Sequence, residues 1–467
     1  MAAIDLLILG SYLAAIFLVG VLVGRKEKLD DFFVNQRRTK TLLLVFTVVS
    51  TNAGAGTLVG IASAGYSTGI SFGLTAFIAT VVGFLFAAAL APKIKEFGDQ
   101  QKAYSLGDYF LHRYSDRNRN LVGAILVVAY IFFTSAQYVG VSALLRVWTG
   151  LDITITLAIA AGTMILYTAF AGIKSDFYTD VIHFVVMFVC LVLIVLPDLL
   201  LNEKIVSHLS SLPSSFYHPF SFGGVGFFFG SLIFGAPFML VSMEIWQRIY
   251  AATNPHTARK TMFWSAALNL PFVICGIVFG LSGRALFGNS VDQADQVLFR
   301  VISVSLPGGL LGLALAGILA AFLSTANSMI MVTSTTVFKD FYMPLRKSHK
   351  SEKELLRAGR VITLIVGIVS LIFAVFLPSV IQQILNGYYV ILVLFPPVIG
   401  GFLWKKADEK AAFLGILTGF VVTIALLPLL PKMAFVPGVF LSGTIFVWLS
   451  LRTWGKKQYR QLNTASN

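Results

Sequence analysis

The stretch VVSTNAGAGTLVGIASAGY, Val48–Tyr66, would form one apolar helix if Gly54 and Gly56 did not interrupt it. A second apolar stretch, GSLIFGAPFMLVSMEIW (Gly230–Trp246), has Gly235-Ala236-Pro237 near its middle. Glycine and proline are common in membrane helices, where packing alone can explain them. Two breaks at matching positions, however, are typical of transporters built from two repeats, in which the broken helices form the binding site.

The composition indicates a membrane protein. Of 467 residues, 57% are hydrophobic and 12% are charged, about half of the ~25% charge usual in soluble proteins. Apolar runs of roughly 20 residues, the length that a membrane-spanning helix requires, recur along the whole chain. We therefore predict an all-α polytopic membrane protein with about 13 transmembrane helices. They start near Ile4, Thr41, Ile70, Leu121, Ile153, Phe177, Phe222, Thr261, Leu306, Val361, Val380, Ala411 and Phe435.

The interrupted stretches fall in predicted spans 2 and 7, which are five spans apart. Because five is odd, the second set of five must be inverted relative to the first. This predicts a five-plus-five inverted repeat of spans 2–6 and 7–11, with broken helices at spans 2 and 7. The repeats cover about residues 41–200 and 222–404 of a single transmembrane domain, 1–455, and residues 456–467 form a cytoplasmic tail.

The basic residues predict the orientation. The chain has a formal net charge of +14, but 30 of its 35 Lys and Arg residues fall in alternate loops. This asymmetry is the positive-inside pattern of membrane proteins and does not indicate nucleic-acid binding. We expect a multi-pass protein of the plasma (inner) membrane, with its N-terminus outside and its C-terminus in the cytoplasm.

The most polar of the predicted helices contains LAGILAAFLSTANSMIMVTSTTVFKD, Leu315–Asp340. Its Ala321, Ser324, Thr325 and Ser328 share one helix face. Such a face is suited to close helix packing, but it also offers the oxygen ligands that a hard cation prefers. Carbonyls freed at the break in span 2 would complete a sodium site.

One acidic residue within a predicted span lies near these elements. Asp180 is a candidate functional carboxylate, although an Asp is also common at a helix start. Glu244 and Arg248 are four residues apart on span 7, and this spacing predicts that they pair with each other.

Several motifs together resemble the sodium/solute symporter family, which includes sodium–sugar, sodium–proline, sodium–pantothenate and sodium–monocarboxylate carriers. They are STNAGAGTLVGIASAGYSTGI, GIKSDFYTDVIHF, WQRIYAATN, GILAAFLSTANS and PPVIGGFLWKKADEKAAFLGILTG. The resemblance covers roughly residues 5–455. It implies the leucine-transporter fold and sodium-coupled alternating access, with Na⁺ as the coupling ion.

The resemblance also implies site residues. The main sodium site falls on Ser50, Ala53, Ala321, Ser324 and Thr325, the first two through backbone carbonyls. A possible second sodium site falls on Asp180, Asn327 and Ser328, where Asn327 departs from the hydroxyl usual in the family. Candidate solute-binding residues are Gly56, Thr57, Gln137, Tyr138, Ser242 and Tyr388. One or two sodium ions, and the identity of the solute, stay open at this point.

Other functions are less consistent with the sequence. A proton-coupled carrier of the same fold would depend on Asp180 and would not need the hydroxyl–carbonyl set. A channel needs a selectivity filter, and an enzyme or a pump needs motifs such as H-E-x-x-H or G-x-x-x-x-G-K-[ST], which do not occur. We predict a sodium-coupled secondary active symporter that imports a small polar organic solute and is not an enzyme. Its expected partners are the solute, sodium and the lipid bilayer, with no nucleic acid and no obligate protein partner.

Overall fold

The computed structural model describes residues 3–24, 37–345 and 351–465. In these ranges the backbone is helical, and the only β-type pairing is an isolated bridge between Thr39 and Ala252. Residues 25–36 and 346–350, which belong to two of the predicted basic loops, and residues 466–467 of the predicted tail lie outside the described residues. The prediction of an all-α polytopic membrane protein is confirmed.

The described part of the chain contains nine helices that are long and apolar enough to cross a membrane. Two pairs of helices qualify only when each bent pair is taken as one span, which gives eleven. The stretches Ala3–Val19 and Ile153–Ala169 are shorter apolar helices that correspond to predicted spans 1 and 5. The count of thirteen spans therefore stays a prediction.

The first half of the chain forms nine helices in the described ranges. They are α1 (Ala3–Gly24), α2 (Thr41–Asn52), α3 (Gly56–Thr68), α4 (Ser71–Gln101), α5 (Leu106–Arg113), α6 (Asp116–Thr149), α7 (Ile153–Met187), α8 (Leu196–Leu201) and α9 (Glu203–Ser210). Helix α7 contains predicted span 5 and the start of span 6. No proline lies between the two spans to stop the helix.

The second half forms ten helices in the described ranges. They are α10 (Gly224–Leu240), α11 (Met243–Ala251), α12 (Pro255–Phe287), α13 (Val297–Ser305), α14 (Leu310–Thr336), α15 (Glu352–Phe376), α16 (Val380–Leu392), α17 (Phe395–Leu403), α18 (Glu409–Leu426) and α19 (Phe435–Ala465).

Both predicted broken helices are present. Helices α2 and α3 meet at 51° across a break between Asn52 and Gly56, as predicted. Helices α10 and α11 meet at 41°, but their break lies at 241–242 and not at Gly235-Ala236-Pro237. The winding is already altered there, with a π-helical segment over Ser231–Gly235 and a 3₁₀ segment over Ala236–Leu240. Pro237 lacks an N–H, so it weakens the helix, which ends one turn later.

Helix α14 is the central helix of the bundle. All of its residues except Leu310 and Leu313 are buried, and it packs against α1, α6, α7 and α15. Its last four hydroxyl residues, Thr333 to Thr336, each donate to the carbonyl four residues earlier, at 2.7–3.0 Å. These hydroxyls are satisfied within their own helix, whereas Ser324 and Thr325 contact other helices.

The predicted cytoplasmic ends of the two broken helices are joined. The Thr39 amide before α2 donates to the Ala251 carbonyl at 3.0 Å, and the Thr253 amide donates to the Thr39 carbonyl at 3.2 Å. The Lys95 ammonium on α4 donates to Asp99 at 2.6 Å and to the Tyr250 carbonyl of α11 at 3.1 Å. The start of α2 and the end of α11 are therefore held together in this conformation.

Candidate functional site

A cluster of oxygen atoms forms where the break in the first broken helix faces α14. The Thr325 hydroxyl lies 2.8 Å from the Thr51 carbonyl, 2.9 Å from the Ala321 carbonyl and 3.5 Å from the Ser50 carbonyl. The Ser324 hydroxyl lies 3.0 Å from the Ser50 hydroxyl. Four of the five residues predicted for the main sodium site are thus joined by direct contacts.

The break leaves carbonyl groups at the end of α2 without helical partners. The Val49 carbonyl accepts from the Ala53 amide at 3.0 Å, and the Asn52 carbonyl accepts from the Thr57 hydroxyl at 2.7 Å. The Ser50 carbonyl has only the 3.5 Å contact with Thr325, so it is the least satisfied of the last turn. Ala53, the fifth predicted residue, is buried in the break itself.

Gly54 allows the break to approach α14 this closely. A Cβ at this position would lie 2.3 Å from the Thr325 hydroxyl and 2.8 Å from the Gln137 side-chain oxygen. That same Gln137 oxygen accepts the Ala55 amide at 2.8 Å. A close approach of backbone to side chain is therefore the physical reason for glycine here.

Buried carboxylates lie beside the oxygen cluster. The Ser324 hydroxyl donates to Asp180, which is fully buried. Asp176, one turn earlier on α7, accepts from the Ser328 hydroxyl at 2.9 Å and from the Asn327 amide. Sequence reasoning missed Asp176, although its i,i+4 spacing to Asp180 places both carboxylates on one face of the helix.

Arg248 is the positive charge of this region. Its guanidinium lies 3.4 Å from Asp180 and 3.5 Å from Asp176, and it donates to the Thr51 and Ser328 hydroxyls at 2.8 Å. The predicted Glu244–Arg248 pair is wrong, because Arg248 reaches only the backbone carbonyl of Glu244, at 3.5 Å. Arg248 is also 2% exposed inside the bundle, although it is counted among the 30 basic loop residues from which the orientation is predicted.

The three residues predicted for a second sodium ion are not brought together around Asp180. Asn327 and Ser328 bind Asp176, and Asp180 binds Ser324 and Arg248. The Asn327 side-chain oxygen is buried and has no hydrogen-bond partner among the residues that the structure describes.

A cavity of about 210 Å³ lies between the two broken helices, next to the oxygen cluster. Four predicted solute-binding residues line it, namely Gly56, Thr57, Gln137 and Tyr388. The other two do not. Tyr138 is fully buried, and the Ser242 hydroxyl donates to the Phe238 carbonyl at 2.9 Å at the start of α11.

Sequence reasoning missed other residues that line the cavity. Helix α4 contributes Phe72, Thr75 and Thr80, which no motif indicated. Asn52 and Glu244 also line it. The Glu244 carboxylate accepts a hydrogen bond from Tyr130, and the Tyr130 oxygen accepts the Met243 amide at 2.7 Å. The signal available for Glu244 was its position directly after the second break.

The cavity and the oxygen cluster share residues. Thr51, Gly54 and Thr325 line the cavity, and Thr51 and Thr325 also supply oxygens to the cluster. A helical membrane bundle with two broken helices, a central cavity and a cluster of freed oxygens beside it defines a secondary transporter.

Comparison with known proteins identifies the family. The family model "Sodium:solute symporter family" matches residues 32–419, and the chain belongs to this family. It is 25% identical to the sodium/pantothenate symporter of Escherichia coli over 436 residues, 88% of this chain and 88% of the relative. It is also 25% identical to the sodium/proline symporter of Staphylococcus aureus over 455 residues, 92% of this chain and 87% of the relative.

Solved structures show the same fold. A Na⁺-coupled sialic acid symporter in a substrate-bound outward-open state superposes with a TM-score of 0.78 at 20% identity, and the match covers 96% of this chain and 97% of that one. A nucleobase–cation symporter in a closed conformation gives a TM-score of 0.58 at 14% identity, over 90% of this chain and 94% of that one. The predicted leucine-transporter fold is confirmed.

The family membership confirms the predicted function. The chain is a sodium-coupled symporter of a small solute, with Na⁺ as its coupling ion, and it is a transporter and not an enzyme. Neither a proton-coupled carrier nor a channel is favoured by these relatives.

Proposed function

We propose that sodium binds among Ser50, Ala53, Ala321, Ser324 and Thr325, and that the solute binds in the adjacent cavity. Hydroxyl and carbonyl oxygens suit a hard monovalent cation. The position of Thr325 carries this proposal, since its hydroxyl lies within 3.5 Å of three backbone carbonyls and the same residue lines the cavity.

Sodium at this position would link the two repeats. Ser50 belongs to the first broken helix, and Thr325 belongs to the central helix of the second repeat. An ion bound between them would fix the bend at 53–55, where Gly54 lines the cavity. Sodium and solute would then each raise the affinity for the other, because binding coupling is reciprocal.

We infer a stoichiometry of one sodium ion. Of the residues proposed for a second ion, Ser328 receives a hydrogen bond from Arg248, whose guanidinium also contacts Asp180. This guanidinium supplies a fixed positive charge where a second ion would lie. Asp180 and Ser328 then hold this guanidinium, and Asn327 holds Asp176 beside it. Asp180 orients the sodium site by accepting the hydrogen bond from Ser324.

The solute would be imported across the plasma membrane by alternating access, with the N-terminus outside and the C-terminus in the cytoplasm. The joined ends of α2 and α11 at Thr39 and Ala251 would separate when the cavity opens to the cytoplasm. The names of the two relatives mention pantothenate and proline. We propose that the solute is a small polar organic molecule of a size similar to these two.

Uptake into proteoliposomes tests this function. A panel that includes pantothenate and proline is offered with sodium or potassium outside, over a series of pH values. We expect uptake of a panel solute that requires sodium at every pH. Equal uptake in potassium, with a rate that follows the proton gradient, would contradict the proposal.

A further inference from the structure

The wall of the solute cavity has one charged side chain. Among the described residues that line it, Glu244 is the only acid, and no Lys, Arg or His is present. Glu244 is 3% exposed, and its carboxylate has a hydrogen bond from the neutral Tyr130 hydroxyl but no ion pair within the described chain. A buried carboxylate without a counter-ion is energetically costly, so its charge calls for a positive partner.

The neighbouring charges do not supply that partner. Asp176 and Asp180 face the single guanidinium of Arg248. When these two carboxylates and Glu244 are all ionised, they exceed the one fixed cation by two charges. The proposed sodium ion lies near Asp180, because its proposed ligand Ser324 donates a hydrogen bond to that carboxylate. One negative charge, that of Glu244 beside the cavity, is then still unbalanced.

Aromatic rings add to the preference of the cavity for a cation. Phe133, Phe238 and Tyr388 all line it, with ring centroids 5.9 Å apart for Phe133 and Phe238 and 4.7 Å apart for Phe238 and Tyr388. The faces of aromatic rings attract ammonium groups, and aromatic clusters recognise quaternary amines.

We propose that the solute carries a positively charged nitrogen, as an amine or quaternary amine, and that this nitrogen binds Glu244 against the aromatic rings. This inference rests on the proposed solute cavity. A carboxylate on the same solute would be met at the start of α3 near Gly56, where the helix N-terminus favours negative charge. A purely anionic solute would face Glu244 with no basic group to balance it.

Probes that share a skeleton and differ in the charge of the nitrogen or of the carboxyl group test the inference with the purified full chain. The set is L-proline, L-prolinamide and N-acetyl-L-proline, with the same three forms of L-serine and L-glutamine, plus glycine betaine and pantothenate. Binding is measured in sodium and in potassium. We expect sodium-dependent binding of probes with a charged nitrogen, at least about tenfold tighter than that of the N-acetyl form of the same skeleton.

Glu244→Gln separates the residue from the general shape of the cavity. It should weaken binding of the charged-nitrogen probes by about tenfold to a hundredfold and should reduce the preference over the N-acetyl forms. Glu244→Asp keeps the charge and should restore part of that preference. A sodium-induced rise in melting temperature shows that each variant is folded. The comparison of probe affinities in the wild-type protein does not depend on whether any variant folds.

The outcomes distinguish this inference from the function on which it rests. Sodium-dependent binding of pantothenate or an N-acetyl probe at least as tight as that of the amines would overturn the inference and leave sodium coupling intact. Sodium-independent binding that strengthens at acidic pH and is lost in Glu244→Gln would also overturn it, because Glu244 would then be a proton carrier. Equal binding of all probes in sodium and potassium would contradict the proposed function itself.

Discussion

Removal of the Thr325 hydroxyl should weaken sodium binding more than removal of any other single hydroxyl of α14. This hydroxyl lies 2.8 Å and 2.9 Å from the Thr51 and Ala321 carbonyls and 3.5 Å from the Ser50 carbonyl. Thr325→Ala removes the hydroxyl from the freed Thr51 carbonyl and takes one ligand from the ion. An unsatisfied buried group costs about 1–3 kcal/mol, so half-saturating sodium should rise roughly fivefold to a hundredfold.

The assay requires no knowledge of the solute. Sodium that binds the folded protein raises its melting temperature with concentration, so a sodium titration against potassium at constant ionic strength gives the half-saturating concentration. Thr325→Ser keeps the hydroxyl and should stay close to wild type. Thr333→Ala and Ser334→Ala are matched controls, because their hydroxyls bond within their own helix at 2.7 Å. Unchanged sodium titration in folded Thr325→Ala would refute the site.

The three remaining predictions concern the break in the first broken helix, the buried ion pair and the orientation of the second repeat. Gly54→Ala should abolish sodium-dependent stabilisation, because the new Cβ would lie 2.3 Å from the Thr325 hydroxyl. Gly162→Ala is the control and should behave as wild type in the same titration, because a Cβ there has nothing within 4 Å. Asp180→Asn should lower the free energy of unfolding by about 3–5 kcal/mol, the usual cost of breaking a buried ion pair, and should weaken sodium binding. Denaturation with and without sodium measures both effects. A neutral result would contradict the role of the bonds that Asp180 makes with Arg248 and Ser324. A reporter fused after Gly288 should read external, and a cytoplasmic signal there would contradict the inverted orientation of the second repeat.

The sequence was sufficient for the fold because its signals are local and strong. Apolar runs of span length, the Gly54–Gly56 interruption and the five-span spacing to a second interruption each follow from the order of residues. The second break was placed too early because Pro237 changes the winding of the helix before the helix ends at Leu240. The residue at which the weakened helix finally ends depends on packing against its neighbours, which the order of residues does not show.

The site was predicted unevenly for a similar reason. The Ser324 and Thr325 face is visible in helix periodicity, but the partners of buried charges depend on which helices are neighbours. Spacing alone favoured Glu244 for Arg248, whereas the tertiary fold brings α7 next to it and supplies Asp176 and Asp180 instead. Glu244 is then left facing the cavity, a position that only the three-dimensional arrangement reveals.

The coupling ratio tests the central claim most directly. Radioactive sodium and a labelled panel solute are followed together in proteoliposomes that hold a set membrane potential. The account predicts one sodium ion per solute molecule. Entry of one ion down about 100 mV and a tenfold gradient supplies roughly 2.3 + 1.4 kcal/mol, enough to concentrate a solute without net charge on the order of a few hundredfold. A ratio of two sodium ions, or solute accumulation with no sodium flux, would contradict it.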